Sequence, residues 1–246
     1  MRAVLFVHGA GGGGWEWNAW ARVFAAEGYA VRAPDLQPAA TGLAQTRLED
    51  YSRQVREHIS ALRQEPGAEL PTLAPQSANT RKVVLIGASL GGLLALMNAE
   101  HADALVLVNP MPPRPLNAQL PERAAYPAII PWRADATLDG TRRALPDADE
   151  ATCLYAFRRW RDESGLAMNA ARDRVVVGKP GCPLLVLASE CDADIPPTLS
   201  AKLARLYVAD CISIPNASHV GPLLGRNASS VAKRAVAWLN GLDYEI

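Results

Sequence analysis

The sequence predicts an α/β protein whose mostly parallel sheet of about six strands carries an inserted helical cap. Three observations predict it. Short runs rich in Val, Ile and Leu recur and alternate with helical patterns, as in βαβ units whose strands are buried on both faces. The 246 residues, 49% of them apolar, suffice for one large domain or a core with a small insertion. One apolar run also passes directly into Gly87-Ala88-Ser89-Leu90-Gly91 and a further helical pattern, giving a strand, a sharp turn and a helix in succession.

Taken in order, strands are expected at residues 3–7, 29–33, 82–86, 105–108, 184–187 and 211–214. Helices between them show apolar stripes. Trp17, Trp20, Ala21 and Phe24 form the first, Leu48, Tyr51, Val55, Ile59 and Leu62 the second, and Val231, Ala235, Trp238 and Leu239 the last. Two stretches interrupt the rhythm. Residues 64–81 hold Pro66, Gly67, Pro71, Pro75 and Asn79 and read as a long exposed loop. Residues 111–180 begin among prolines and then carry helical patterns near residues 152–161 and 166–174, as an inserted cap would. The core is therefore expected to be discontinuous, residues 1–110 and 181–246, with a helical cap or lid at 111–180.

Composition excludes several classes. Lys+Arg and Asp+Glu number 25 each, so the formal charge is zero and no positive field exists to hold nucleic acid or anionic lipid. No long apolar run predicts a membrane span and no signal-peptide pattern opens the chain, so a soluble, cytoplasmic protein is expected. The four cysteines show neither C-x-x-C pairing nor metal-ligand spacing and are expected to be reduced.

The chemistry concentrates at strand ends. G-x-S-x-G needs its glycines because a serine in a strained turn between strand and helix requires neighbours without Cβ atoms. A serine hydroxyl then needs a base and an acid that orients the base. Of four histidines, His58 and His101 fall in or beside helices and His8 opens the glycine loop; His219, just beyond the last strand, is left as the base. The loop after the fifth strand offers Glu190, Asp192 and Asp194. Asp192 is the first choice, with Asp194 and then Glu190 as alternatives. The order Ser, Asp, His matches that of hydrolases built on a nucleophile elbow.

The first loop, residues 8–15, admits two readings. Gly9, Gly11 and Gly14 follow a strand in the spacing of a dinucleotide fingerprint, with Asp35 downstream, which would suggest a NAD-binding oxidoreductase. Trp15 and Trp17 would crowd a pyrophosphate, however, and Ser89 and His219 would go unexplained. The favoured reading is an oxyanion hole, with the backbone N–H groups of Ala10 and Leu90 aimed at a developing negative oxygen.

Together, His8-Gly9-Ala10, Trp15-x-Trp17, Ala33-Pro34-Asp35-Leu36, the elbow at residues 87–92, Asp192-x-x-x-Pro196 and His219 resemble the α/β-hydrolase family. Within it, the H-G-A loop with W-x-W resembles the branch of plant methyl-ester esterases and hydroxynitrile lyases. The resemblance implies Ser89 as nucleophile, His219 as base, Asp192 as acid, and Ala10 and Leu90 as oxyanion donors, with no cofactor and no metal. The sequence starts at what would be the family's third strand, implying a sheet that lacks the usual first hairpin. Ala88 stands where the family commonly has histidine. Val220 stands where the lyases carry lysine, which favours hydrolysis over lyase chemistry, and Ser89 excludes an aspartate nucleophile.

The expected activity is therefore hydrolysis of a carboxylic ester or thioester of a small to medium apolar substrate through an acyl-enzyme. A non-catalytic ligand-binding member of the fold is the alternative. Trp15, Trp17, Met111, Trp132 and Trp160 are candidate substrate-binding wall residues. Arg158, Arg159 and Arg161 read as a solvated helix face.

Overall fold

A computed structural model describes residues 2–65 and 81–242. Most of the loop expected at residues 64–81 lies outside them. The strands are β1 (Arg2–Val7), β2 (Ala30–Arg32), β3 (Lys82–Ala88), β4 (Ala104–Val108), β5 (Ile129–Ile130), β6 (Glu163–Ser164), β7 (Leu184–Ser189) and β8 (Asp210–Ile214). Six of them form one sheet in the order β2-β1-β3-β4-β7-β8. Every pairing in that sheet is parallel.

Parallel strands buried on both faces need apolar side chains on both, which is why these runs lack polar alternation. Leu5, Leu85 and Leu107 face one layer, where α2 (Leu48–Gln64), α3 (Leu90–Met97) and α7 (Pro197–Tyr207) pack. Phe6, Ile86, Val106 and Leu187 face the other, against α1 (Asn18–Ala26) and α9 (Ala228–Gly241). None of the described helices is long and apolar enough to cross a membrane.

The segment between β4 and β7 contains α4 (Leu138–Ala144), α5 (Glu150–Phe157) and α6 (Gly165–Asp173). It also contains a small antiparallel β5–β6 pair that the sequence patterns did not reveal, because two-residue strands leave no readable period. Nor is the segment wholly separate from the core. Ala167, Met168 and Ala171 of α6 join the same apolar cluster as the sheet and α2.

Trp17 corrects the expectation that it lines the substrate site. Its side chain is fully buried, stacked on Phe6 at 4.8 Å between ring centroids and set edge-on to Trp20. It belongs to the core layer behind the sheet, where an aromatic beside an apolar strand buries the most surface.

Candidate active site

Because the six strands run the same way, their following loops gather at one sheet edge, the usual place for a ligand in an open α/β fold. There a cavity of about 580 Å3 is bordered by Gly9 and Ala10 after β1, Ser89 after β3, Met111 after β4, Asp194 after β7 and His219 after β8.

Ser89 sits between β3 and α3 with φ 53° and ψ −118°, a left-handed conformation disfavoured for a residue with a side chain. Its N–H donates to Val108 O at 3.0 Å, and its carbonyl accepts from Met111 N at 3.0 Å and from the first turn of α3. The flanking glycines are sterically required. A Cβ on Gly87 would collide with Gly91 O, and one on Gly91 would collide with Val7 O and His8 O, so the strand, the elbow and the first loop touch backbone to backbone.

His219 lies in the loop between β8 and α8 (Gly221–Leu224), its side chain 14% exposed. Its Nδ1 is 2.8 Å from Asp192 Oδ2, while Asp192 Oδ1 accepts from the N–H groups of Asp194 and Ile195, both at 2.8 Å. Asp192 is thus spent on both oxygens and almost fully buried. Asp194 is exposed and contributes its backbone N–H to Asp192. Glu190, the other alternative, accepts from Ser213 Oγ at 2.7 Å instead. Burial lowers the pKa of His219, but the Asp192 hydrogen bond and charge, aided by Asp194 and Glu16, outweigh it and leave it raised. Asp192, Asp194 and His219 bring ligand-type atoms within 4.8 Å of one another, yet the bonds just described already account for that grouping. Among the described residues no hydrogen bond joins Ser89 Oγ to His219, and both residues border the cavity.

The first loop passes directly over the elbow: a Cβ on Gly9 would stand 3.4 Å from Ser89 Cβ. Among the described residues the Ala10 and Leu90 N–H groups donate to no protein acceptor. His8 is buried and spent, donating from Nδ1 to Gly9 O at 2.8 Å and accepting at Nε2 from Leu36 N at 2.9 Å; burial lowers its pKa. Asp35, which a dinucleotide reading needs for a ribose, accepts from Gly14 N at 2.7 Å and so holds this loop.

Of the candidate wall residues, Met111, Trp132 and Trp160 border the cavity. Trp15 does not. It packs edge-on against Tyr155 and Trp160, at 5.7 and 5.4 Å between centroids, and so backs the wall instead of forming it. Arg161 is no solvated face residue either: its N–H donates to Gly11 O at 2.8 Å and its Nη2 to Leu36 O at 2.8 Å.

Sequence reasoning missed four polar residues that shape the site. Asn109, at φ 44° after β4, donates to Ser189 Oγ at 2.8 Å and to His219 O at 2.7 Å. Asp147 of the inserted segment accepts from Ser218 N at 3.0 Å and Ser218 Oγ at 2.6 Å, holding the residue before His219. Glu163 of β6 accepts from Gly11 N at 3.1 Å and from Tyr51 OH at 2.7 Å, so Arg161 and Glu163 engage Gly11 through its carbonyl and its N–H. Glu16, buried beneath the first loop, also borders the cavity. Only Glu16 left a trace in the sequence, as the single charge in an otherwise glycine and tryptophan run.

The profile of the alpha/beta hydrolase family matches residues 4–234. The chain belongs to that family. No curated protein matches the sequence significantly. Among solved structures, this α/β hydrolase superposes on tomato methylketone synthase I in complex with 2-tridecanone with a TM-score of 0.71 at 16% identity, covering 98% of each chain. A methylesterase from Arabidopsis gives 0.68 at 14%, covering 97% of this chain and 100% of that one. A pyrethroid hydrolase from Sphingobium faniae gives 0.68 at 18%, covering 100% and 99%. At such identities the likeness shows the α/β-hydrolase fold, with its parallel six-stranded sheet.

Proposed function

We propose that this α/β hydrolase is a serine esterase acting on carboxylic esters or thioesters of small to medium apolar substrates. The observation that carries the reading is the Asp192–His219 pair, at 2.8 Å, bordering the same cavity as a serine in a strained elbow. Asp192 holds His219 with Nδ1 protonated and Nε2 free to act as base. His219 takes the proton of Ser89 as Oγ attacks the carbonyl carbon, and the tetrahedral oxyanion is met by the N–H groups of Ala10 and Leu90. The carbonyl re-forms as the alcohol or thiol leaves with the proton from His219. Water, deprotonated by the same histidine, then releases the acid and restores Ser89.

Met111, Trp132, Trp160 and Ile195 give the cavity an apolar wall, which suits an apolar acyl or alcohol group. The esterase and hydrolase names of several fold neighbours accord with this reading. The test is hydrolysis of p-nitrophenyl esters of graded acyl length by wild type and Ser89→Ala, both checked by circular dichroism. Turnover that is lost in a folded Ser89→Ala supports the reading, and turnover that persists removes Ser89 as nucleophile. A folded wild type inert across the series, and unlabelled by a fluorophosphonate, favours the ligand-binding alternative.

A further inference from the structure

Glu16 follows Trp15 at the start of the helical turn beneath the first loop. It is 3% exposed, and its Oε2 is buried without a hydrogen-bond partner. A buried carboxyl with an unsatisfied oxygen is costly and calls for a reason. The loop is shaped around it: a Cβ on Gly12 would collide with the Glu16 carboxyl, so this position has to be glycine for the carboxyl to lie where it does. The side chain also borders the catalytic cavity beside Gly9, Ala10 and His219.

The charged groups around it are few. His219 faces it from the loop after β8 and Asp35 from the loop after β2. Asp194 stands on the cavity wall, and Arg161 lies near Asp35 at 3.9 Å. No cation among them pairs with Glu16 within salt-bridge distance. Burial therefore dominates and raises its pKa from 4.5 to about 8, against the backbone of Gly9 and Gly13 and the influence of His219.

We propose that Glu16 is a further catalytic residue of this site, a neutral carboxylic acid whose O–H donates a hydrogen bond to a substrate oxygen on the oxyanion side of the cavity. The inference rests on the esterase reading above. A proton on Glu16 removes the charge that burial disfavours and gives the carboxyl a donor for a substrate oxygen in the cavity that the residue borders. Loss of that proton removes the donor and sets a second negative charge beside the oxyanion, in a confined site where like charges repel strongly. The carboxyl transfers no proton during turnover; it holds one.

The experiment is the pH dependence, from 6 to 10, of two rates: kcat/KM on a p-nitrophenyl ester and phosphonylation of Ser89 by a fluorophosphonate. In the wild type both rates should fall about tenfold per pH unit above a midpoint near 8. In Glu16→Gln, which keeps a donor but cannot ionise, the alkaline fall should vanish. Glu16→Met, similar in volume and without a donor, should lose about a hundredfold at pH 7 and show no alkaline fall, so that its deficit against the wild type shrinks toward pH 10. A role confined to packing would not move the pH limb. An alkaline fall that persists in Glu16→Gln, or a wild type with none, overturns the proposal. Should Glu16→Gln not fold, Glu16→Met carries the same comparison of limbs.

Failure of the esterase reading looks different: no phosphonylation of Ser89 in any variant at any pH. Urea melts add a readout independent of activity. Glu16 has a folded value above its unfolded one, so its contribution to stability is complete below about pH 4.5 and is lost as the pH rises through about 8. The wild type should show that loss and Glu16→Gln should not.

Discussion

Asp192 gives up both its oxygens, one to His219 and one to two backbone N–H groups, and that division of labour has measurable consequences. With one oxygen fixed by the chain, the other is oriented without freedom, so His219 is held as a single tautomer. Asp192→Asn should lower kcat about 10⁴-fold with little change in the fold, since the amide can offer the imidazole an N–H where it needs an acceptor. The pH profile should change with it. In the proposed mechanism His219 must be neutral to act as base, and its pKa is raised above the ordinary 6.5, so the wild-type rate should fall as the pH drops through a midpoint above 6.5. Removing the Asp192 charge takes away the main influences that raise it, and the acid limb should move to lower pH. A limb that stays in place in the Asp192→Asn variant would mean that another group sets it.

The glycine loop after β1 takes its shape from elements remote in sequence. β6 reaches it through Glu163, the segment leading into β6 reaches it through the Arg161 backbone, and α2 steadies Glu163 through Tyr51, whose pKa is raised by burial and by the neighbouring carboxylate. The inserted segment thus clasps the peptide next to Ala10, and through Asp147 it also grips the loop carrying His219. A donor aimed at an oxyanion is useful only while its position holds to within a fraction of an ångström. Glu163→Gln keeps the volume but replaces one of the two accepting oxygens with an NH2 group. It should lower kcat by about tenfold to a hundredfold with KM within about twofold, and weaken a boronic acid that mimics the tetrahedral intermediate in parallel with kcat/KM. An unchanged kcat would show that the loop holds itself. None of this was legible in the sequence, because the strands that make the clasp are two residues long and their partners lie more than 100 residues away.

At the scale of the whole molecule, two tryptophans two residues apart serve different layers. Trp17 lies in the core beneath the sheet, whereas Trp15 backs the inserted segment through Trp160. Trp17→Ala should cost about 3–5 kcal/mol of stability in a urea melt, the range for a large aromatic removed from a packed core, and leave the acyl-length preference of the remaining folded protein alone. Trp160→Ala should do the reverse, shifting the preferred ester length with a smaller loss of stability. The sequence by itself determined the six strands, the parallel sheet and the elbow. Each follows from local pattern: unbroken apolar runs, helical stripes, and glycines where a Cβ would strike backbone. It also drew attention to Ser89, Asp192 and His219, because strand ends in a parallel sheet share one edge whatever the loops contain. Only the tertiary structure decided which tryptophans meet the cavity, which carboxylate of the acidic loop turns toward His219, and that Glu16 is buried beside them. Those are matters of direction and long-range contact, set by how layers pack across the molecule, and no periodicity along the chain encodes them.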